Sequence, residues 1–465
     1  MKLSYLKEIY ARNKDVKFRD LYFSRKITII YVEGLCNTTD IENYLIYKLE
    51  EAVNTQENLM KSNFLDIQIM KENNEDLDLN LFSGKIVIID QEKYYTLNTI
   101  KTPSRNPEQS NIDITITGPK DSFVENLQIN VALIRKRLKT KELKYETFVI
   151  GNKSKTTVGL LYMDDVINQS LLNEIKRKIK SIHCDAIVST SEFRSYLYDK
   201  KNNTFPLATY TQRPDYCVSS LLAGKFVILL DNFNTATIGP VTLSFLTDFS
   251  DDINEHYLST ILNRIIYFFC FVISIYLMGF VLALYTYNPE QLPITILANM
   301  IIMRKGIVLP VHLEIIFATF LFELFRIVGT RLPSGISSTL LVVGGILIGQ
   351  ITIACGLISY DIMFLTALTS ICTYAISNNL SVNNLVTFLK WFVFLFSYTL
   401  GSYGFILSFI FITIYLTSQK SFGVPITMPF APLSLKNIPN IFLGRNYILK
   451  KKKPYYNQPQ EEYNS

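Results

Sequence analysis

From His312 to Pro333 the sequence is apolar enough to cross a bilayer, yet it holds Glu314, Glu323 and Arg326. At about 1.5 Å per residue, roughly 20 residues span a hydrocarbon core of about 30 Å. An ionisable group at that depth costs about 3 kcal/mol on insertion scales and normally faces protein or a water path. Glu323 and Arg326 are three residues apart on one helical face and make the expected structural pair. Glu314, nine positions before Glu323, falls on roughly the opposite face and reads as unpaired. Charge on two faces demands neighbours on both, so this helix is expected inside a bundle or an assembly.

The chain of 465 residues is 49% hydrophobic with mean hydropathy +0.20, but those averages hide a division. Up to about Tyr257 the sequence is charged and mixed; from Ser259 to about Ser418 apolar runs dominate. The expected fold is therefore α+β followed by a polytopic α-helical membrane domain over residues 258–420, with a tail at 421–465. No apolar h-region follows Met1, which keeps the N-terminal domain on the cytoplasmic side. Six scattered cysteines without a Cys-x-x-Cys pair point to free thiols and no metal centre. The net charge of +6 draws on Lys450–Lys453, which reads as the cytoplasmic flank of a membrane segment rather than a nucleic-acid surface. Metalloprotease, serine-hydrolase, dinucleotide and phosphate-loop signatures are missing, and there are 3 histidines. Neither an enzyme nor a cofactor is expected.

Residues 1–26 read as a helical docking arm, ahead of two related α/β subdomains at 27–145 and 146–257. In the first copy a buried strand at Ile27–Gly34, a helix from Asp40 to Val53 and a strand at Leu81–Asp90 follow one another. The order returns as Val158–Asp164, Leu171–Ile182 and Leu221–Asp231, so each copy ends in Gly-Lys, a strand and Asp. Between the copies, Gly118-Pro119 breaks the chain before a helix that Asp121 or Ser122 would cap. That helix carries Arg135-Lys136-Arg137, expected as a solvated basic face.

In the apolar half the first span is Ile261–Tyr285, and Ile294–Met303 is too short to cross. Ile336–Ile358 carries Gln350 and the close-packing pair Gly345 and Gly349. Ile362–Ile376 places Thr366, Thr369, Ser370 and Thr373 on one face, a stripe that suits either a wet pore or helix–helix hydrogen bonding. Leu385–Ser418 is too long for one crossing; it is either a tilted overshoot or a pair folded at Gly401–Gly404, with Lys390-Trp391 at an interface. A cytoplasmic start and a Lys-rich cytoplasmic end require an even number of crossings.

A set of short motifs runs in order through the chain. They are Gly118-Pro119 with Phe123–Leu127 and Asn130; Leu133-Ile134-Arg135 with Arg137; Arg213-Pro214-Asp215; Asn288-Pro289-Glu290; Glu314 with Phe322-Glu323; Arg331-Leu332-Pro333; Gly349-Gln350; Ser421–Pro425; and Pro429–Leu433. With them, from about Ile27 to Leu433, the chain resembles the A subunits of the GerA-family spore germinant receptors of endospore-forming bacteria. Two turns depart from the family pattern, Thr117–Ser122 and Asp231-Asn232.

The resemblance implies a cytoplasmic two-part domain on a multi-pass domain in the spore inner membrane. It further implies a homo-oligomeric ring, with a pentamer as the expected form, that conducts ions when a nutrient binds a partner B subunit. A lipoprotein C subunit and membrane lipid complete the implied partners. Within that frame the candidate ion pathway is Glu314, Gln350, Thr366, Thr369 and Thr373, and Glu323 with Arg326 is the structural intramembrane pair. The alternatives are a non-conducting scaffold subunit and the related stage V sporulation A-family channel protein.

Overall fold

The computed structural model describes residues 3–36, 43, 45–54, 67–69, 74–90, 93–98, 118–198, 206–242, 256–331, 344–377 except 347, 380–428 and 430–431. The sequence first builds α1 (Leu3–Ile9), β1 (Val16–Tyr22), β2 (Lys26–Val32), α2 (Ile46–Asn54) and β3 (Ile67–Ile69). Then come α3 (Asn74–Leu81), β4 (Lys85–Asp90) and β5 (Lys93–Asn98). The expected helical arm is thus corrected. Only Leu3–Ile9 is helical, and Val16–Tyr22 pairs with Lys26–Val32 as a hairpin, because a short turn lets this alternating segment close onto the sheet.

The second repeat contains α4 (Leu127–Arg135), β6 (Leu143–Ile150), β7 (Thr156–Met163), α5 (Gln169–Lys180) and α6 (Thr190–Leu197). It closes with β8 (Thr209–Thr211), α7 (Pro214–Leu222), β9 (Phe226–Leu230) and β10 (Ala236–Gly239). The strand orders are β1-β2-β4-β5-β3 and β6-β7-β9-β10-β8, so the two sheets share one topology. Every strand pairing in the two sheets is antiparallel, so each of the two α/β subdomains packs its helices on an antiparallel sheet. The repeated Gly-Lys has a backbone cause. Gly84 and Gly224 take φ of 87° and 79°, ending α3 and α7 and turning the chain into β4 and β9.

The helix between the repeats is capped by Asn126, not by Asp121 or Ser122; the Asn126 side chain accepts from the N–H groups of Gln128 and Ile129. Lys136 is exposed as expected, but the two arginines beside it are not a solvated face. Arg137 donates to both oxygens of Asp121 at 2.7 Å, and buried Arg135 grips Asp15 with bonds of 2.7 and 3.1 Å while lying over Phe82. A bidentate, buried guanidinium–carboxylate pair is specific in geometry, and here it fastens the first repeat to the helix of the second.

The apolar half forms α8 (Tyr257–Tyr287), α9 (Ile294–Met303), α10 (Val311–Arg331), α11 (344–354), α12 (Tyr360–Ile376) and α13 (Leu380–Ser418). Of these, α8 and α13 are long and apolar enough to cross a membrane. The rings of Phe396 and Phe411 lie 5.7 Å apart, although fifteen residues of straight helix would separate them by about 22 Å. The chain therefore doubles back at Gly401, whose φ of 62° and ψ of −138° interrupt the helix. A Cβ on Gly404 would sit 1.9 Å from the Phe396 carbonyl oxygen, so the return limb approaches where only glycine fits. Of the two readings of this long segment, the folded pair is the one observed.

The packing gives each segment a direction. Near the soluble domain, Ile275 of α8 clusters with Ile376, Val382, Leu385 and Ile412, and with Leu207 and Val241 of the second repeat. At the far end, Met278 and Leu282 cluster with the starts of α10 and α12 through Val311, Ile315 and Ile362. There Ser402 at the fold-back donates to Asn288 at 2.5 Å. So α8 and the first limb of α13 run away from the soluble domain, α10 and α12 both run back toward it, and the last limb of α13 returns to it.

The return is anchored by β11 (Lys420–Ser421) and β12 (Val424–Pro425). Phe422 and Gly423 take φ of 49° and 82°, the two left-handed residues that a tight hairpin turn needs. Ser421 donates to the Leu207 carbonyl at 2.7 Å and accepts from the Val241 N–H at 3.0 Å. The Phe422 ring meets Phe226 edge-on at 5.0 Å. Residues 332–343, the start of the Gly345/Gly349 segment, and the lysines at 450–453 lie outside the described residues.

Candidate functional site

Two glycines bring the far-end polar groups together. Gly306 (φ 87°) closes α9 and Gly356 (φ 65°) precedes α12, and the loops touch so closely that a Cβ on Gly356 would lie 2.5 Å from the Gly306 carbonyl. The Val308 N–H donates to the Gly356 carbonyl at 3.0 Å, locking that approach. Arg304, at the end of α9, is thereby carried back over the first turn of α10, where Glu314 sits wholly buried. Arg304 donates to Glu314 Oε1 at 3.1 Å, and Ser359 gives Oε2 its hydroxyl at 2.6 Å and its N–H at 2.9 Å. Ser359 is the N-cap of α12 but makes no cap with its side chain, because that hydroxyl is spent on Glu314.

Glu314 is therefore not the unpaired carboxylate expected from the helix face. Its counter-charge comes from α9 across a tight turn, which spacing along one helix does not reveal. A carboxylate holding a guanidinium and two further donors is electrically spent; it latches three segments rather than drawing cations to a pore mouth. Charge on two faces of α10 is thus answered on one side inside a single chain.

The other face carries Arg326 donating to Glu323 and reaching Asn384 at 3.5 Å. Facing this pair is Lys390, only 6% exposed and midway along the first limb of α13, not at an interface as its neighbour Trp391 suggested. Asn383, Lys390 and Ser397 are each seven residues apart, which sets them on one helix face. The Asn383 side-chain oxygen, the Ser397 hydroxyl and Arg326 Nε are buried without a hydrogen-bond partner among the described residues.

The hydroxyl stripe of α12 is brought together as spaced, but inside the bundle. Thr366, Thr369 and Thr373 are buried and donate to carbonyls one turn back at 2.7 to 2.8 Å, and Thr366 faces Met278 of α8. Gln350 lies apart from them, exposed on α11. Sequence reasoning missed Arg304, Ser359 and Lys390. A glycine–proline turn between Arg304 and Glu314 was the legible hint for the first; nothing local marks Ser359.

The family model described as Bacillus/Clostridium GerA spore germination protein matches residues 4–456. Spore germination protein XA of Bacillus anthracis is 39% identical over 433 residues, 88% of each chain. Stage V sporulation protein AF of Bacillus subtilis is 26% identical over 91% of this chain and 87% of its own length. Among solved structures, the crystal structure of the N-terminal domain of the A subunit of the Bacillus megaterium spore germinant receptor GerK3 matches with 25% identity and a TM-score of 0.41, covering 51% of this chain and 92% of that one.

Proposed function

Because the chain belongs to the GerA spore germination family, we propose that it is the A subunit of a nutrient-sensing germinant receptor. In this reading it sits in the spore inner membrane as the conducting part of an oligomeric ring, triggering germination with a nutrient-binding B subunit and a lipoprotein C subunit. The higher identity to the germination protein than to the stage V protein, 39% against 26%, supports a receptor role over the sporulation one.

The observation that carries the ring is the polar face of α10. The Glu323 and Arg326 side chains keep 30% and 20% of their surface exposed, part-way along a helix whose other outward residues, such as Phe320 and Leu324, are apolar. Lipid against such a pair would cost about 3 kcal/mol per charged group, so another copy or an aqueous path covers it. The outward apolar residues of α8, Leu262, Ile266 and Phe269, then meet lipid. With the segment between α10 and α12 as a crossing, six crossings return both ends to the cytoplasmic side. Gln350 and Glu323 are the polar groups left to turn toward water; the Thr366–Thr373 stripe joins the path only if α12 turns out of its seam with α8. Gating is a switch between two such packings, with the Arg304–Glu314–Ser359 latch holding one of them.

The burial of that hydroxyl stripe favours a second reading, a non-conducting scaffold whose soluble repeats dock the other subunits. The test is the mass of the purified full-length chain in lipid nanodiscs. A closed ring of several copies supports the conducting subunit; a folded monomer overturns the ring.

A further inference from the structure

Three side-chain bonds cross the seam between α8 and α12. At the far end the Tyr285 hydroxyl bonds to Asp361, and midway the Thr366 hydroxyl meets the Met278 sulfur at 3.8 Å. Toward the soluble domain the thiols of Cys270 and Cys372 are hydrogen-bonded to each other. Down α8 from Tyr285 these rungs step by seven and then eight residues, and along α12 from Asp361 by five and then six. Nearly matched steps in opposite directions are the register of two antiparallel helices in contact. The two cysteines are thus one rung of a ladder, held face to face by the whole seam.

The other four cysteines lie apart from this pair. Cys36 and Cys217 sit in two separate soluble cores, Cys184 packs against a third, and Cys355 is exposed just after α11. Of the paired thiols, Cys270 is half-buried and Cys372 is 5% exposed. The hydroxyls around them do not tie the helices together. Thr366, Thr369 and Thr373 donate to carbonyls of α12, and Ser274 donates to the Phe271 carbonyl of α8. A thiol is only a weak donor and acceptor. Apolar packing, with Ile275 and Ile376 in one cluster, therefore carries the near half of the seam, and a covalent bond there would change its strength most.

We propose that Cys270 and Cys372 are an oxidisable pair that hydrogen peroxide converts to a disulfide, stapling α12 to α8. Cys270, the more open thiol, attacks the peroxide O–O bond and becomes a sulfenic acid, releasing one water. The Cys372 sulfur then attacks the Cys270 sulfur, forms the S–S bond and expels the hydroxyl as a second water. Two electrons pass from the thiols to the peroxide, both thiol protons end in water, and a thiol reductant reverses the link. The disulfide closes a loop of about 100 residues, so it also resists unfolding. In a conducting subunit the staple holds the Thr366–Thr373 stripe inside its seam; that consequence rests on the function proposed above, whereas the staple itself does not.

The test treats the purified full-length chain in lipid nanodiscs with hydrogen peroxide, blocks the remaining thiols, and maps peptides by mass spectrometry before and after dithiothreitol. A peptide pair joined through Cys270 and Cys372 is expected, lighter by two hydrogen atoms than its separate parts. The chain keeps its monomer mobility on a non-reducing gel, and its thermal midpoint rises by a few degrees until dithiothreitol is added. Cys270→Ala and Cys372→Ala each abolish the link and the rise, and Cys184→Ala abolishes neither. The peptide map of the parent chain decides alone if a variant does not fold. Sulfinic or sulfonic acid at Cys270 without a linked peptide, a link between two chains, or a link that forms only after unfolding overturns the proposal. Because the readout is covalent, a chain that passes no current still tests it.

Discussion

The latch at the far end of the bundle is best tested by a double-mutant cycle on Arg304 and Glu314. Replacing Arg304 with Gln leaves Glu314, with none of its surface exposed, as a charge held only by Ser359. Removing one partner of a buried pair costs about 3–5 kcal/mol, and this carboxylate is placed to lose all of it. Glu314→Gln strands a guanidinium whose side chain is 25% exposed, so water recovers part of the loss and about 2–3 kcal/mol remains. Independent effects would sum to about 5–8 kcal/mol, but the double variant buries no unmatched charge and is expected to cost only about 3–5 kcal/mol. The coupling of about 2–3 kcal/mol is read from urea or thermal unfolding in one detergent, with Arg326→Gln in place of Arg304→Gln as the control. Single effects that add within about 0.5 kcal/mol would refute the latch.

Phe422→Ala removes a ring that is 2% exposed and packed on Phe226, and should destabilise by about 3–5 kcal/mol in thermal unfolding. A cost below about 1 kcal/mol would mean the hairpin does not anchor the last helix. Asp15→Asn should cost about 3–5 kcal/mol by leaving Arg135 buried without its carboxylate, and protease susceptibility between the repeats should rise with it. Gly356→Ala forces φ of 65° on an L-residue and pushes a Cβ against the Gly306 carbonyl, so a loss of at least about 1–2 kcal/mol is expected from unfolding. For topology, Tyr403→Cys at the fold-back and Asp185→Cys on the soluble domain, in a background without the native cysteines, should react with impermeant maleimide from opposite membrane faces. Labelling from one face would contradict the doubled-back α13.

How much of this was legible in the sequence depends on the range of the interaction. The internal repeat was readable because Gly84 and Gly224 must both adopt a left-handed turn before a buried strand, and such a need leaves the same local mark twice. The break at Gly401–Gly404 was readable as an excess of length, but its geometry was not, since folding back depends on the Phe396 carbonyl meeting Gly404. Pairings across the fold were the blind spot. Arg135 looked solvated until Asp15 closed on it from 120 residues away, and Lys390 looked interfacial beside Trp391 until the bundle buried it. Glu314 failed in the same way. Helical periodicity places a charge on a face, but it does not say which other segment arrives there.

The central claim is conduction by an assembled ring, and the measurement that bears on it most directly is ionic current across a planar bilayer holding the purified oligomer. The account predicts discrete, cation-selective steps, with selectivity altered in Glu323→Gln and unaltered in Gln128→Ala on the soluble domain. A silent bilayer containing a monodisperse, folded assembly, with and without its partner subunits, would contradict it and leave the scaffold reading in its place.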